Sequence, residues 1–238
     1  MTIDDIRENL IKLSEEYNNP EYFLNDPIIF PKYFAEKLSS GDASLQDVEI
    51  AGILSSHLAW GRRDMIVRDC NRMFDEMKWN PFYYIMTGIY RDEEKSLHRT
   101  IKWSDFAIVC RNLKLYYDNN TSIEMLEPED IRHIIFKQAH SLKAANKKIH
   151  MFRRWMVRND GVVDLGIWKH IDPADLIIPL DVHVHRTALE LGITQRRSAD
   201  LTTAMEITRF LRKVFPADPC KGDFALFAYT ASKNQKIG

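Results

Sequence analysis

Apolar residues recur along this chain at intervals of three and four, the spacing of one helix face, and almost nowhere at intervals of two. Ile3, Ile6, Leu10, Leu13 and Tyr17 predict a first helix, stopped at Asn18-Asn19-Pro20. Pro31 opens a short second one, PKYFAEKLSS. Ser44, with Asp47 three residues on, is a capping-box-like start for a third, which carries VEIAGILSSHLAW to a break at Gly61. RRDMIVRDCNRMFDEMK follows, then the short aromatic PFYYIMTG after Asn80. The pattern next predicts DFAIVCRNLKLYYDNN capped by Ser104, and EDIRHIIFKQAHSL after Pro128. Helices over 146–158, behind Asp181, over 202–214 and from 218 to about 229 complete the series, with the residues from Ala231 onward frayed. Only LIIPL, residues 176–180, has strand character. No Gly-rich phosphate loop, repeat or low-complexity linker divides the chain. The expectation is an all-α globule of nine or ten helices forming one structural domain over 1–238.

Composition narrows the setting. With 45% hydrophobic residues over 238 positions the chain can bury a core without staples. Cys70, Cys110 and Cys220 form no CxxC pair, which points to a reducing cytoplasm and away from zinc or an iron–sulfur cluster. No metal and no other cofactor is expected. Acids stand at the N-terminus where a signal peptide would carry bases, and no apolar stretch approaches membrane-spanning length, so a cytoplasmic protein without a membrane partner is expected.

Charge changes the picture more. The net charge of −1 conceals an asymmetry: residues 1–130 hold 15 Lys+Arg against 24 Asp+Glu, and residues 131–238 hold 18 against 10. Residues 131–159 contain no acid and eight bases: Arg132, Lys137, Lys143, Lys147, Lys148, Arg153, Arg154 and Arg158. His133, His140 and His150 lie among them. A solvated helix face normally mixes signs, so this run suggests a polyanion, most simply a phosphate backbone, as partner. The alternative is a basic surface paired with the acidic N-terminal half.

The densest chemistry follows the apolar run: Asp181-Val-His183-Val-His185-Arg186. As a helix start, Asp181 is an N-cap, Gly192 is the stop, and Asp181 and His185 share a face that His183 leaves. As a strand, Asp181, His183 and His185 would alternate onto one side and offer metal ligands. The helix is favoured because Thr187-Ala-Leu-Glu-Leu-Gly192 continues it.

The string Ile-Pro-Leu-Asp181-Val-His183-Val-His-Arg186 resembles the Val-Asp-Thr-His-Val-x-Arg segment of helix–hairpin–helix DNA glycosylases, the endonuclease III and adenine glycosylase superfamily. That resemblance implies a two-lobed helical fold, with one lobe of about 46–175 and one of about 1–45 plus 176–238, a catalytic carboxylate at Asp181, a pocket role for His183 and a fold-supporting Arg186. Glu49 to Asp64, with Trp60, Arg62 and Arg63, resembles the superfamily's early helix and the DNA-touching loop after it. Over nearly the full length, DPIIFPKYF, IAGILSSHLAWGRRD, LHRT, MFRRWMVRNDGVVDLGIWKHI and LIIPLDVHVHR are also similar to a bacterial family of conserved hypothetical proteins.

The chain departs from the glycosylases where their hairpin should stand. Residues 159–170 read Asn-Asp-Gly-Val-Val-Asp-Leu-Gly-Ile-Trp-Lys-His, so the motif is degenerate or missing. Archaeal 8-oxoguanine glycosylases also lack a standard hairpin and place their Lys upstream in a helix; by that analogy Lys147 or Lys148 serves, although one alignment sets Trp155 at that place. The resemblance thus implies an N-glycosylase of base-excision repair acting on duplex DNA. Phosphates would be held by Lys143, Arg153, Arg154, Arg158, Arg62 and Arg63, and a flipped base received near His183, Trp155 and Trp60. Trp60, Trp155 and Trp168 serve as core anchors on the alternative view. Two other functions remain open: a catalytically inactive nucleic-acid-binding module on the same scaffold, and a metal-dependent hydrolase built on Asp181, His183 and His185.

Overall fold

A computed structural model describes residues 2–235, with side chains to 229. Apart from a hairpin it is helical, and no helix among the described residues is long and apolar enough to cross a membrane. The chain forms two compact units, Phe23–His140 and the residues up to Tyr22 together with those from Ser141 onward.

The Phe23–His140 unit begins with α2 (Ile29–Ser40), which ends at a left-handed Gly41. The capping box of Ser44 and Asp47 then starts α3 (Leu45–Leu58), whose residues from Asp47 to Ser56 are all buried. Burial on every side marks it as the central helix. It carries a carboxylate inside: Glu49 accepts the Tyr117 hydroxyl at 2.9 Å, the Ile123 amide at 3.2 Å and the Ser122 hydroxyl. α4 (Arg63–Glu76) and α5 (Pro81–Thr87) follow. A hairpin, β1 (Ser96–His98) and β2 (Ile101–Lys102), pairs antiparallel and was not anticipated, because two strands this short leave no alternation to read. α6 (Trp103–Tyr117) starts one residue before the expected cap: the Lys102 amide, not Ser104, is bonded by Asp105 at 2.9 Å. The helix expected after Pro128 is cut short. α7 (Pro128–Asp130) passes into a π-helical turn over Ile131–Ile135, and Lys137 then turns left-handed.

The other unit holds α1 (Ile3–Tyr17), α8 (Lys147–Val157), α9 (Val182–Glu190), α10 (Leu201–Val214) and α11 (Lys221–Gln235). α1 packs on α11, and α11 on α9. The chain after Ala231, expected to fray, is helical as far as Gln235; residues 236–238 lie outside the described residues. Residues 176–180 are not a strand. Leu176, Ile178 and Leu180 are buried, and the Ile178 amide donates to Thr208 Oγ1 of α10 at 3.2 Å instead of to a ladder. Pro179 has no amide to offer one. Residues 158–172 form no helix; they fold back on α8, with the Leu165 amide on the Trp155 carbonyl at 2.8 Å and the Trp168 amide on the Met156 carbonyl at 2.9 Å.

Candidate active site

Asp181 is the N-cap that its position suggested, but capping uses only one of its oxygens. Oδ1 accepts the His183 and Val184 amides at 2.9 and 2.8 Å, which satisfies two of the unpaired donors at the start of α9. Oδ2 faces Lys147 Nζ at 3.6 Å. Lys147 is the first residue of α8, entered through Asn146 in the left-handed conformation (φ 44°), and its side chain is 36% exposed against 20% for Asp181. An amine and a carboxylate that the sequence separates by 34 positions therefore meet at the starts of two helices, half open to solvent.

Two further cations that the sequence assigned to the surface, Arg154 on α8 and Arg158 at its C-cap, lie elsewhere, and here the expectation is corrected. Arg154 and Arg158 are buried. Arg154 Nη1 donates to Asp223 Oδ2 at 2.6 Å, and its Nε lies 3.4 Å from Asp164 Oδ1. Arg158 donates through Nη1 to Asp164, through Nη2 to Asp160 at 2.9 Å, and through Nε to Asp218 at 3.0 and 2.9 Å. Both guanidiniums also stack on Phe224, 4.7 and 4.9 Å from its centre. The reason is charge balance: a buried guanidinium is tolerated where carboxylates stand against it. Burial works against the charge of Arg158, but Asp164, Asp218 and Asp160 outweigh it and push its pKa up.

Electrostatics within the site are uneven. Asp223, in the first turn of α11, is pushed up to about 6, first by burial and then by the negative charge of Asp181, against the opposing pull of Arg154 and Lys147. Lys148 is brought down to about 8, chiefly by burial and secondarily by the charge of Lys147. His150 is buried without a partner for Nε2, and burial lowers it to about 4, with Arg153 adding to the effect. It is therefore a neutral ring at pH 7.

The remaining candidates separate. Lys143 is exposed and Arg153 half-buried, so of the basic helix and its approach these can meet a partner. Trp155 is 1% exposed and stands in the core rather than in a pocket. His183 is exposed, its ring 6.3 Å from that of Phe227. His185 turns inward and shares a hydrogen bond of 2.8 Å with the Arg196 carbonyl. The helical register thus sends the two imidazoles to opposite sides, and among the described residues no group of three or more His, Cys, Asp or Glu is placed to hold a metal ion. Asp181, His183 and His185 are not brought together as a set of ligands. Trp60, Arg62 and Arg63 belong to the other unit. There the Arg99 guanidinium lies over the Trp60 ring at 4.4 Å, Arg62 pairs with Asp64 at 2.7 Å, and Arg63 lies 3.7 Å from Asp26.

Sequence reasoning missed Asp160, Asp164, Asp218 and Asp223. A signal existed: a run of eight cations without an acid over residues 131–159 needs its counter-charges from elsewhere, and Asp160 and Asp164 follow it at once.

No curated protein and no solved structure matches the chain. Residues 26–135 and 124–232 match a family described as a protein of unknown function (DUF2400), and the chain belongs to that family.

Proposed function

We propose that this protein is a DNA N-glycosylase with lyase activity, in which Lys147 is the nucleophile and Asp181 its carboxylate partner. The observation that carries it is the 3.6 Å approach of Lys147 Nζ to the one Asp181 oxygen that capping leaves over. Asp181 also stands where the resemblance to the helix–hairpin–helix glycosylases implies a catalytic carboxylate. A general base must lie within hydrogen-bond reach of the proton it removes, or one water away, and resting geometry is commonly looser than the reacting one.

In the reaction, Lys147 first gives a proton to Asp181. The amine lone pair then forms a bond to C1′ of a flipped deoxynucleotide. The C1′–N glycosidic bond breaks with its electron pair going to the base, which leaves after taking up a proton. Asp181 hands that proton to the departing base, and the carboxylate so restored stabilises the positive character that C1′ acquires. Opening of the sugar, with the ammonium proton passing to O4′, leaves a protonated imine on Lys147; loss of a C2′ proton to the Asp181 carboxylate then forms the C2′–C3′ double bond and expels the 3′ phosphate by elimination. Lys143 and Arg153 supply phosphate contacts.

The test is base release and strand cleavage on a panel of duplexes with oxidised, alkylated and deaminated bases. Lys147→Met should abolish both. Asp181→Asn, which caps almost as well, should lower the rate by about 10²–10⁴-fold while the fold persists. Wild type inert on every duplex, yet binding them, makes the chain a binding module instead.

A further inference from the structure

We propose that Phe227 and His183 form a stacking shelf for an unpaired nucleobase beside Lys147 and Asp181, so that the site prefers nucleotides already out of the double helix to paired ones. The role rests on Lys147 being the nucleophile at C1′.

The first turn of α9 reaches two neighbours. Its cap, Asp181, faces Lys147 of α8 at 3.6 Å, and two residues on the His183 ring stands 6.3 Å from that of Phe227 on α11, edge to face at 80°. Ring centres at that separation attract one another. α8 and α11 are themselves joined, since Arg154 Nη1 donates to Asp223 Oδ2 at 2.6 Å. Lys147 lies seven residues before Arg154 and Phe227 four after Asp223, spacings that keep each on the side of its helix where that bond is made. Amine, carboxylate, imidazole and phenyl ring therefore border one stretch of surface.

That surface is open and largely apolar. Phe224, Ala225, Leu226 and Ala228 of α11 are buried, whereas Phe227 is 43% exposed, and Val182, between Asp181 and His183, is 73% exposed. His183 is exposed as well. A base is bonded to C1′, the atom that Lys147 attacks, so it lies beside the amine, and the ring of Phe227 offers its π face a partner. Stacking of this kind serves any base, but only one whose faces are uncovered. Inside a duplex both faces are covered, and extrusion costs pairing and stacking that a single-stranded base does not lose. Charge offsets less of that cost than the basic run suggests. Arg154 and Arg158 stand in a buried ladder with Asp160, Asp164, Asp218 and Asp223, withdrawn from the phosphate contacts on which duplex affinity depends.

The test titrates the full chain with a single strand of mixed sequence and with the blunt duplex it forms, at one salt concentration, by fluorescence anisotropy. The single strand should bind more tightly by about tenfold or more. Phe227→Leu, which keeps an apolar side chain, should weaken single-strand binding about tenfold, and Phe227→Tyr should restore it. In phenylalanine-labelled protein the Phe227 ring resonances, assigned by their loss in Phe227→Leu, should move upfield with the single strand, under the ring current of a stacked base. No binding of the single strand, a duplex bound as tightly, a Phe227→Leu affinity like wild type, or ring resonances that stay in place overturns the proposal. Should Phe227→Leu not fold, the exposed His183→Ala takes its place, with weaker single-strand binding expected and unchanged binding contradicting the shelf. The nucleophile is read separately, by borohydride trapping on an abasic strand. Shelf results as expected with no adduct on Lys147 retain the shelf and remove the chemistry; an adduct on Lys147 with the shelf results absent does the reverse.

Discussion

Replacing Arg158 by Met tests the buried ladder where it is densest. The guanidinium is 1% exposed and its donors reach three carboxylates, Asp160, Asp164 and Asp218. These three will not contribute equally. Asp160 and Asp218 have side chains 20% and 25% exposed and can rehydrate, whereas Asp164 is at 0% and would keep only Arg154, 3.4 Å away. Orphaning one buried charge costs about 3–5 kcal/mol, against about 0–1 for an exposed pair, so the expected loss is about 4 kcal/mol rather than three times that. The pH dependence has a definite sign. Burial already raises the pKa of Asp164, against the pull of both arginines, and without Arg158 it must rise further. As pH falls the orphaned carboxylate takes up a proton and its penalty disappears, so the gap between wild type and variant narrows. Urea denaturation followed by tryptophan fluorescence at pH 7.5 and pH 5 measures both effects. A loss below about 1 kcal/mol at pH 7.5, or a gap that widens on acidification, refutes the account of the ladder.

Three further outcomes are expected. His150 is held neutral by burial, so its contribution is complete above about pH 6.5 and is lost as pH falls towards 4; His150→Leu should flatten that part of the curve of stability against pH, and parallel curves would refute it. Gly166 has φ +60° and an added Cβ would lie 2.5 Å from Asn159 Cβ and 2.7 Å from its Cα, whereas Gly161 has φ +69° and open space, so Gly166→Ala should cost about 2 kcal/mol or more and Gly161→Ala about 1, compared by thermal melting. Lys143→Ala with Arg153→Ala should flatten the slope of log K against log salt for duplex DNA by up to about 2 with the fold intact, while Arg154→Ala should act on the melting curve first.

The helical course of the chain was legible because its signals are local. The capping box of Ser44 and Asp47, the cap at Asp181 and the stop at Gly192 each act within four residues, and all stand where the pattern put them. The direction in which the basic helix turns was not legible. Arg154 and Arg158 read as surface charge because their counter-ions Asp223 and Asp218 lie 69 and 60 residues away, and only tertiary packing brings those together. The same limit separated Asp181 from its partner: the sequence offered Lys147 and Lys148 equally, and only the packed helices set Lys147 against Oδ2. The π-helical turn after Pro128 escaped for a related reason, since an i to i+5 bond leaves the apolar spacing of Ile131 and Ile135 unaltered.

The central claim is that Lys147 reacts at C1′, and one measurement reaches it directly. Wild-type protein is incubated with duplexes carrying damaged bases or an abasic site in the presence of borohydride, which reduces an imine to a stable amine, and the cross-linked peptide is mapped by mass spectrometry. The account predicts a sugar adduct on Lys147, lost in Lys147→Met and strongly reduced in Asp181→Asn. An adduct on Lys148 or another lysine, or none on any duplex, contradicts it.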